Sequence, residues 1–426
     1  MIEITPLETT STTLKVPGSK SLTQRALVAA SLAAGVSRIL DPLESEDTEY
    51  SSAALMQMGV KMEKGSEWII TGNGGKIAES DEPIFLGNNG TATRFLTSVA
   101  ALGSTLFTLD GEPRMHQRPI EPLMSALRGW GVDIKSIRNT GCPPLLINEA
   151  GRDGILGGET VLPEGHSSQY LSSLLLVAPY AREPATLRVE GAVFSRPYVA
   201  MTLSVMNDFG ICVDCAEDYS WFSIPQGCYR ARDYQVEGDA SSASYFWAAA
   251  AITGGRVAVE NVPVPSLQGD SMLVALFARM GCSVEMAGNG VAVIGADRLS
   301  GITIDMGDMP DVVPTLAVVA AFAEGTTTIN NIGHLRIKEC DRLSAIVKEL
   351  GKLGVEVEEF DASMIIHGVG GDVHRLHGAE LETYDDHRMA MSLALAGLRI
   401  PGVKITGEEC VAKSFPDFWE RFALLK

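Results

Sequence analysis

Six times along this chain an Ala-rich or apolar stretch of helical character ends near Gly or Pro and runs into a short β-like segment. The stretches are residues 26–34, 97–102, 174–180, 245–252, 316–323 and 391–398. The segments that follow them are 36–40, 105–109, 185–189, 256–259, 326–329 and 403–406. An internal repeat constrains a fold more than any other pattern, because each copy is a supersecondary unit that buries its apolar face only against its neighbours. A second signature falls between the copies: Met58-Gly59-Val60, Trp130-Gly131-Val132, Phe209-Gly210-Ile211, Met280-Gly281-Cys282 and Leu353-Gly354-Val355. Gly suits a helix C-cap in the left-handed region with a strand following at once. The sixth helix of this kind falls within 416–425, and the strand expected to complete its unit is 2–4, which ties the first residues to the second half of the chain.

Each copy reads as a βαβαββ-type unit of α/β structure. A chain of 426 residues exceeds what one hydrophobic core sustains. Two domains of three repeats each are therefore expected, at 19–236 and at 1–18 with 237–426. Sheets would face outward and helices pack inside, an inside-out α/β barrel in each domain, with the active site in the cleft between them. The near-twin segments Leu14-Lys15-Val16-Pro17-Gly18 and Tyr234-Gln235-Val236-Glu237-Gly238 mark the two crossovers.

The polar residues that open the six helices carry the chemistry. They are Pro17-Gly18-Ser19-Lys20-Ser21 with Arg25; Gly87-Asn88-Asn89-Gly90-Thr91 with Arg94; and His166-Ser167-Ser168-Gln169. In the second half they are Glu237-Gly238-Asp239-Ala240-Ser241-Ser242, Asp308-Met309-Pro310-Asp311 and Asp385-Asp386-His387-Arg388. Ser, Asp and Asn are ordinary N-caps, but unpaired N–H groups with added Gly, Ser and cations also make an anion site. No Walker A loop is present. Two further segments concentrate charge: residues 111–119 place Arg114 and Arg118 four apart in a Pro-bounded loop, and Arg336-Ile337-Lys338-Glu339-Cys340-Asp341-Arg342 gathers three cations and two carboxylates. Lys338, Asp341 and Arg342 are expected to share one helical face. Arg forks and Lys point charges suit carboxylate and phosphate ligands.

Composition limits the alternatives. The 34 Lys and Arg against 53 Asp and Glu leave a net charge of −19, which argues against nucleic acid or an anionic membrane as partner. No apolar run is long enough to span a bilayer, and residues 1–6 lack the features of a signal peptide. Seven scattered cysteines fit reduced thiols in a cytoplasm. The lone Cys212-x-x-Cys215 pair and His374-x-x-His377 lack the further ligands that a metal site needs, and His367 reads as surface.

With these motifs in hand, the chain resembles the 5-enolpyruvylshikimate 3-phosphate synthase family along almost its whole length. The matching segments, in order, are 17–25, 86–94, 111–120, 167–170, 195–198, 237–245, 310–311, 336–343, 386–391 and 412–417. The resemblance implies a two-domain fold of three repeats per domain, no metal, no organic cofactor and a monomer. It implies that shikimate 3-phosphate is held by Lys20, Ser21, Arg25, Ser167, Ser168, Gln169, Ser195, Asp311 and Lys338, with His334 a further candidate where the family commonly has Asn. Phosphoenolpyruvate would be held by Lys20, Gly90, Arg118, Gln169, Arg342, Arg388 and Lys413. Asp311 would take the proton of the attacking 5-hydroxyl, and Glu339 or Lys20 would protonate the methylene carbon. Ligand-driven closure that excludes water is expected.

The chain also departs from the family at Asn89, where a small Ala or Ser is usual, and at Phe95, where the glyphosate-sensitive branch carries Pro. Asn89 is expected to crowd the phosphoenolpyruvate end. Two rivals remain. A UDP-N-acetylglucosamine enolpyruvyl transferase typically has Cys in the loop at 111–118 and Lys-Asn at the first helix; here the loop has no Cys, and Ser21 follows Lys20. A non-catalytic binder of phosphorylated metabolites would need the cations but not Asp311 and Glu339.

Overall fold

The computed structural model describes every residue except 152, 153 and 166. The chain divides into two units, Gly18–Val236 and Met1–Pro17 with Glu237–Lys426. Each unit has its own hydrophobic core.

In the first unit α1 (Lys20–Leu32), α2 (Glu46–Gln57), α3 (Gly90–Ala100), α4 (Glu121–Gly129), α5 (Ser168–Val177) and α6 (Arg196–Asp208) alternate with strands. In the second the series is α7 (Ala240–Thr253), α8 (Leu273–Arg279), α9 (Val313–Ala321), α10 (Arg342–Lys352), α11 (His387–Ala396) and α12 (Phe418–Phe422). The odd-numbered helices are those of the sequence repeat, and each is buried almost throughout; in α7, α9 and α11 every residue is buried. A helix apolar all round has no solvent face and belongs inside a core. The even-numbered α4 and α10 instead bury one face, as their alternation of apolar and polar residues requires.

Among the described residues, five sheets have four strands and one has three. Within a sheet, the strand after each inner helix pairs antiparallel with the last strand of its own repeat. Ala185–Val189, for example, pairs with Trp221–Ile224. Four of the six also pair in parallel with the strand just before the inner helix. The first and fourth repeats exchange that strand. Ser11–Leu14, which precedes α1, pairs with Arg256–Val259 after α7, whereas Asp233–Gln235, which precedes α7, pairs with Ala34–Leu40 after α1. The twin segments of the sequence are these two exchange points. Ile2–Glu3 pairs antiparallel with Lys404–Thr406, so the first residues do complete the sixth sheet. They stand in the place of a repeat's last strand, which leaves that sheet one strand short.

All five glycines of the second signature have positive φ, between 81° and 114°. Each ends an outer helix and turns the chain into the next strand. Residues 338–342 depart from expectation. Gly333–Ile337 is a 3-10 helix, Lys338 is extended, and α10 begins only at Arg342, with Asp341 as its N-cap accepting the Ser344 N–H at 3.1 Å. Lys338, Asp341 and Arg342 therefore share no helical face; the competition between an Asp cap and the helix interior resolves in favour of the cap.

Candidate active site

In each unit the inner helices run side by side in the same direction, shown by hydrogen bonds at matching depth. Gln169 Nε2 donates to Thr91 Oγ1 at 3.2 Å, joining the second residues of α5 and α3. Ser244, Thr315 and Ser392 form a buried hydroxyl chain across α7, α9 and α11, each step 3.2 Å. The N-terminal ends of three helices thus come together in each unit, and the polar residues flagged before those helices come with them.

In the first unit Arg25 is fully buried on α1. Its Nε donates to Thr202 Oγ1 at 2.8 Å, Nη1 to the Ser21 carbonyl at 2.9 Å, and Nη2 to Ser172 Oγ and the Tyr198 carbonyl. The guanidinium lies 5.3 Å from the centroid of Phe95 and 5.9 Å from that of Tyr198. Burial draws its pKa down to about 10. Phe95 is thus a platform beneath a site cation. Lys20 Nζ sits 3.2 Å from Asp47 Oδ2. Arg118, also buried, donates to the carbonyl and side-chain oxygens of Asn88, both at 3.2 Å. A Cβ on Gly90 would fall 2.4 Å from Arg118 Nη2, so a larger residue there would displace the guanidinium. Ser167 caps α5, with Ser168 and the half-buried Gln169 in its first turn, and Ser195 precedes α6 with φ 53°. His166 lies outside the described residues.

Asn89 does not crowd the site in the way expected. It caps α3, its Oδ1 accepting the Ala92 N–H at 2.9 Å, and its amide nitrogen donates to the Asp47 carbonyl at 2.6 Å. Both polar ends of the side chain are spent on backbone. Arg114 is another difference from its neighbour Arg118: it is only half-buried and bonds the side chain of Gln117.

The second unit holds a tight charge cluster. Arg342, at the first position of α10, forks onto Asp386 through Nε at 2.7 Å and Nη2 at 3.1 Å. Its Nη1 donates to Asp311 Oδ1 at 3.0 Å and Nη2 to Glu339 Oε2 at 2.9 Å. Arg388 donates through Nη2 to Asp311 Oδ2 at 3.2 Å and through Nη1 to Tyr245 Oη at 3.3 Å. Burial opposes the charge on both guanidiniums, but the surrounding acidic groups outweigh it and hold both pKa values well above the usual range. Buried charge is tolerable only when paired in this way. Burial pushes Tyr245 up to about 12, so it stays a neutral partner of Arg388.

Asp386 was visible in the sequence only as part of the Asp-His-Arg helix start, yet it organises the cluster. It is fully buried, caps α11 through the Arg388 N–H at 2.9 Å, and accepts a long Cys340 S–H bond at 3.6 Å. His334 lies in the 3-10 turn, Lys338 leads from it to Glu339, and buried Lys413 ends the 3-10 helix Glu408–Lys413, which packs against α11. Phe415 and Phe418, just beyond, stack edge-on at 5.5 Å, and Phe418 meets Tyr245 at 5.7 Å. These aromatic contacts, each worth about 0.5–1.5 kcal/mol beyond area burial, dock the segment that carries Lys413 onto α7.

The arrangement offers buried cations for an anion with several negative oxygens, together with two carboxylates, Asp311 and Glu339, on the same guanidinium. Cys212 and Cys215 are exposed and unbridged, and no cluster of His, Cys, Asp and Glu among the described residues could hold a metal ion. No helix among them is long and apolar enough to cross a membrane.

Comparison with known proteins gives the family of the chain. Residues 4–422 match the family model for EPSP synthase (3-phosphoshikimate 1-carboxyvinyltransferase). The 3-phosphoshikimate 1-carboxyvinyltransferase of Syntrophobacter fumaroxidans is 43% identical over 427 residues, covering 99% of each chain. That of Trichormus variabilis is 42% identical over 414 residues, covering 96% of this chain and 95% of the relative. The structure of EPSP synthase from Acinetobacter baumannii superposes with a TM-score of 0.81 at 28% identity, covering 99% of this chain and 97% of that one. The enolpyruvyl transferase NikO of Streptomyces tendae, at 17% identity and a TM-score of 0.77 over 99% and 96% of the two chains, shares the fold. The chain belongs to the EPSP synthase family, the 3-phosphoshikimate 1-carboxyvinyltransferases.

Proposed function

We propose that this enzyme transfers the enolpyruvyl group of phosphoenolpyruvate to the 5-hydroxyl of shikimate 3-phosphate and releases inorganic phosphate. The observation that carries the assignment of roles is Asp311, a carboxylate fixed by two buried guanidiniums at 3.0 and 3.2 Å. Arg342 and Arg388, with Lys413, Lys20, Gly90, Arg118 and Gln169, bind phosphoenolpyruvate. Ser21, Arg25, Ser167, Ser168, Gln169, Ser195 and Lys338, with Lys20, Asp311 and His334, bind shikimate 3-phosphate.

The chemistry follows from these positions. The 5-hydroxyl oxygen bonds to C2 of phosphoenolpyruvate as its proton passes to Asp311, and the methylene carbon takes a proton from Glu339 or Lys20. The tetrahedral intermediate then loses a proton from the methyl carbon and expels phosphate, restoring the double bond. Arg and Lys side chains stabilise the charge that gathers on the leaving group.

Phosphate release from phosphoenolpyruvate and shikimate 3-phosphate tests the reading, with UDP-N-acetylglucosamine as the alternative acceptor. Release that requires shikimate 3-phosphate and is lost in Asp311→Ala is the expected result. Tight binding of both without release would make the chain a binding protein. Release only with the sugar nucleotide would reassign the acceptor.

A further inference from the structure

One buried carboxyl beside the cluster has no part in the chemistry above. Asp270 lies in the 3-10 turn Gly269–Met272 between Gln268 and α8 and is 3% exposed. Its Oδ2 accepts a short hydrogen bond from Ser241 Oγ, on the first turn of α7, while its Oδ1 is buried with no hydrogen-bond partner among the described residues. An ionised carboxylate in such a place should find two or three donors, and a lone buried oxygen is costly to leave charged.

The charged groups around it are Asp311, from the turn before α9, Arg388 from α11, and Asp239 at the cap of α7. Tyr245, also on α7, is engaged by Arg388. Glu237 is occupied by Gln268 and Ser266, and the one titratable residue of α8, Arg279, bonds the Thr303 carbonyl. Arg388 gives its two Nη groups to Asp311 and Tyr245, and its Nε is buried without a hydrogen-bond partner. The cation that faces Asp270 is therefore already directed elsewhere. Burial first, and the nearby Asp311 second, push Asp270 up to about 7, against the Ser241 hydrogen bond, which favours the charged form.

We propose that Asp270 is a positioning residue that works in its neutral form, leaving Arg388 to Asp311 and phosphoenolpyruvate, and that its ionisation sets the upper pH limit of phosphoenolpyruvate binding. Once ionised, it places a further negative charge beside the cation that binds an anionic substrate. It also draws the unpartnered Nε of Arg388 toward itself. Both effects weaken phosphoenolpyruvate binding and leave shikimate 3-phosphate, held largely by residues of the other unit, little changed. The inference rests on the reading of Arg388 and Asp311 given above.

The test is the KM for phosphoenolpyruvate of the whole enzyme and of Asp270→Asn, from about pH 6 to about pH 9. Ionisation of the substrate itself cancels in the ratio of wild type to variant. The ratio should be near one at the acid end and rise to the order of tenfold at the alkaline end, the effect of one charge at several ångström in a protein. Ser241→Ala, which removes the hydrogen bond favouring the charged form, should move the wild-type rise to higher pH. A ratio that stays flat overturns the proposal, as does a Ser241→Ala midpoint that does not move; if Asp270→Asn does not fold, the Ser241→Ala midpoint alone decides. Absence of turnover in the wild type at every pH would instead strike the functional reading on which the proposal rests.

Discussion

Gly90→Ala isolates one contact of the proposed phosphoenolpyruvate site. Gly90 opens α3 and lies outside the left-handed region, so alanine meets no backbone strain there. Helix propensity even favours it, by up to about 1 kcal/mol. The added Cβ, however, would stand 2.4 Å from Arg118 Nη2 and 2.8 Å from Cζ. To reach ordinary contact the guanidinium must retreat by about 1 Å. Its two bonds to Asn88 are already 3.2 Å long, and such a retreat takes them past bonding range. One charge-assisted hydrogen bond contributes about 1.5–3 kcal/mol, which corresponds to about ten- to a hundredfold in affinity. Steady-state kinetics should show the KM for phosphoenolpyruvate raised by that factor, the KM for shikimate 3-phosphate changed little, and the melting temperature unchanged or slightly higher. A KM within twofold of wild type would show that Arg118 does not hold the anion, or that its buried guanidinium yields without cost.

Four other substitutions separate charge, capping and backbone geometry. Asp386→Asn keeps the shape of the residue that forks Arg342 and caps α11 but removes its charge; losing one member of a buried pair costs about 3–5 kcal/mol. Thermal unfolding followed by calorimetry should show a large drop in the transition of the unit that contains it. Asn89→Ala removes a helix cap and a hydrogen bond to the Asp47 carbonyl, so urea unfolding should lose about 1–2 kcal/mol, with the KM for phosphoenolpyruvate unmoved. Gly354→Ala, at φ +88°, forces a side chain into the left-handed region and should cost about 1–2 kcal/mol by the same measurement. Asp270 has a folded-state pKa above its unfolded value, so the stability it contributes is complete below about pH 4 and is lost as pH rises through about 7. Asp270→Asn should therefore be more stable than wild type at alkaline pH, by about 2–4 kcal/mol, with the advantage vanishing in acid; urea unfolding at both ends of the range checks the sign.

Much of this protein was legible in its sequence because the determinants are local. A helix start needs Ser, Asn or Asp next to the first turn, and the sequence shows Ser19, Asn89, Ser167, Asp239 and Asp386 in those places, where the structure has its N-caps. An abrupt helix end needs a residue that tolerates positive φ, and the five glycines after large apolar residues supply it. Apolar stretches without a polar face can only be interior, so the inner helices α1, α3, α5, α7, α9 and α11 follow from composition within a turn or two. Even the tie between residues 2–4 and the second half follows from counting incomplete repeats.

Tertiary structure decided what depends on partners far apart in the chain. Arg342 meets Asp386 and Asp311 across 44 and 31 residues, and Arg388 meets Asp311 across 77. No periodicity encodes such distances, because they arise only when three repeats fold against one another. For the same reason the helical face expected for Lys338, Asp341 and Arg342 did not form: once Arg342 is anchored by Asp386 and Asp311, the cap at Asp341 sets where α10 begins. Asn89 turned from an obstruction into a cap because Asp47, 42 residues earlier, presents a carbonyl to its amide. Asp270 gave no signal in the sequence, since the burial and the neighbouring charges that hold it neutral exist only in the folded unit.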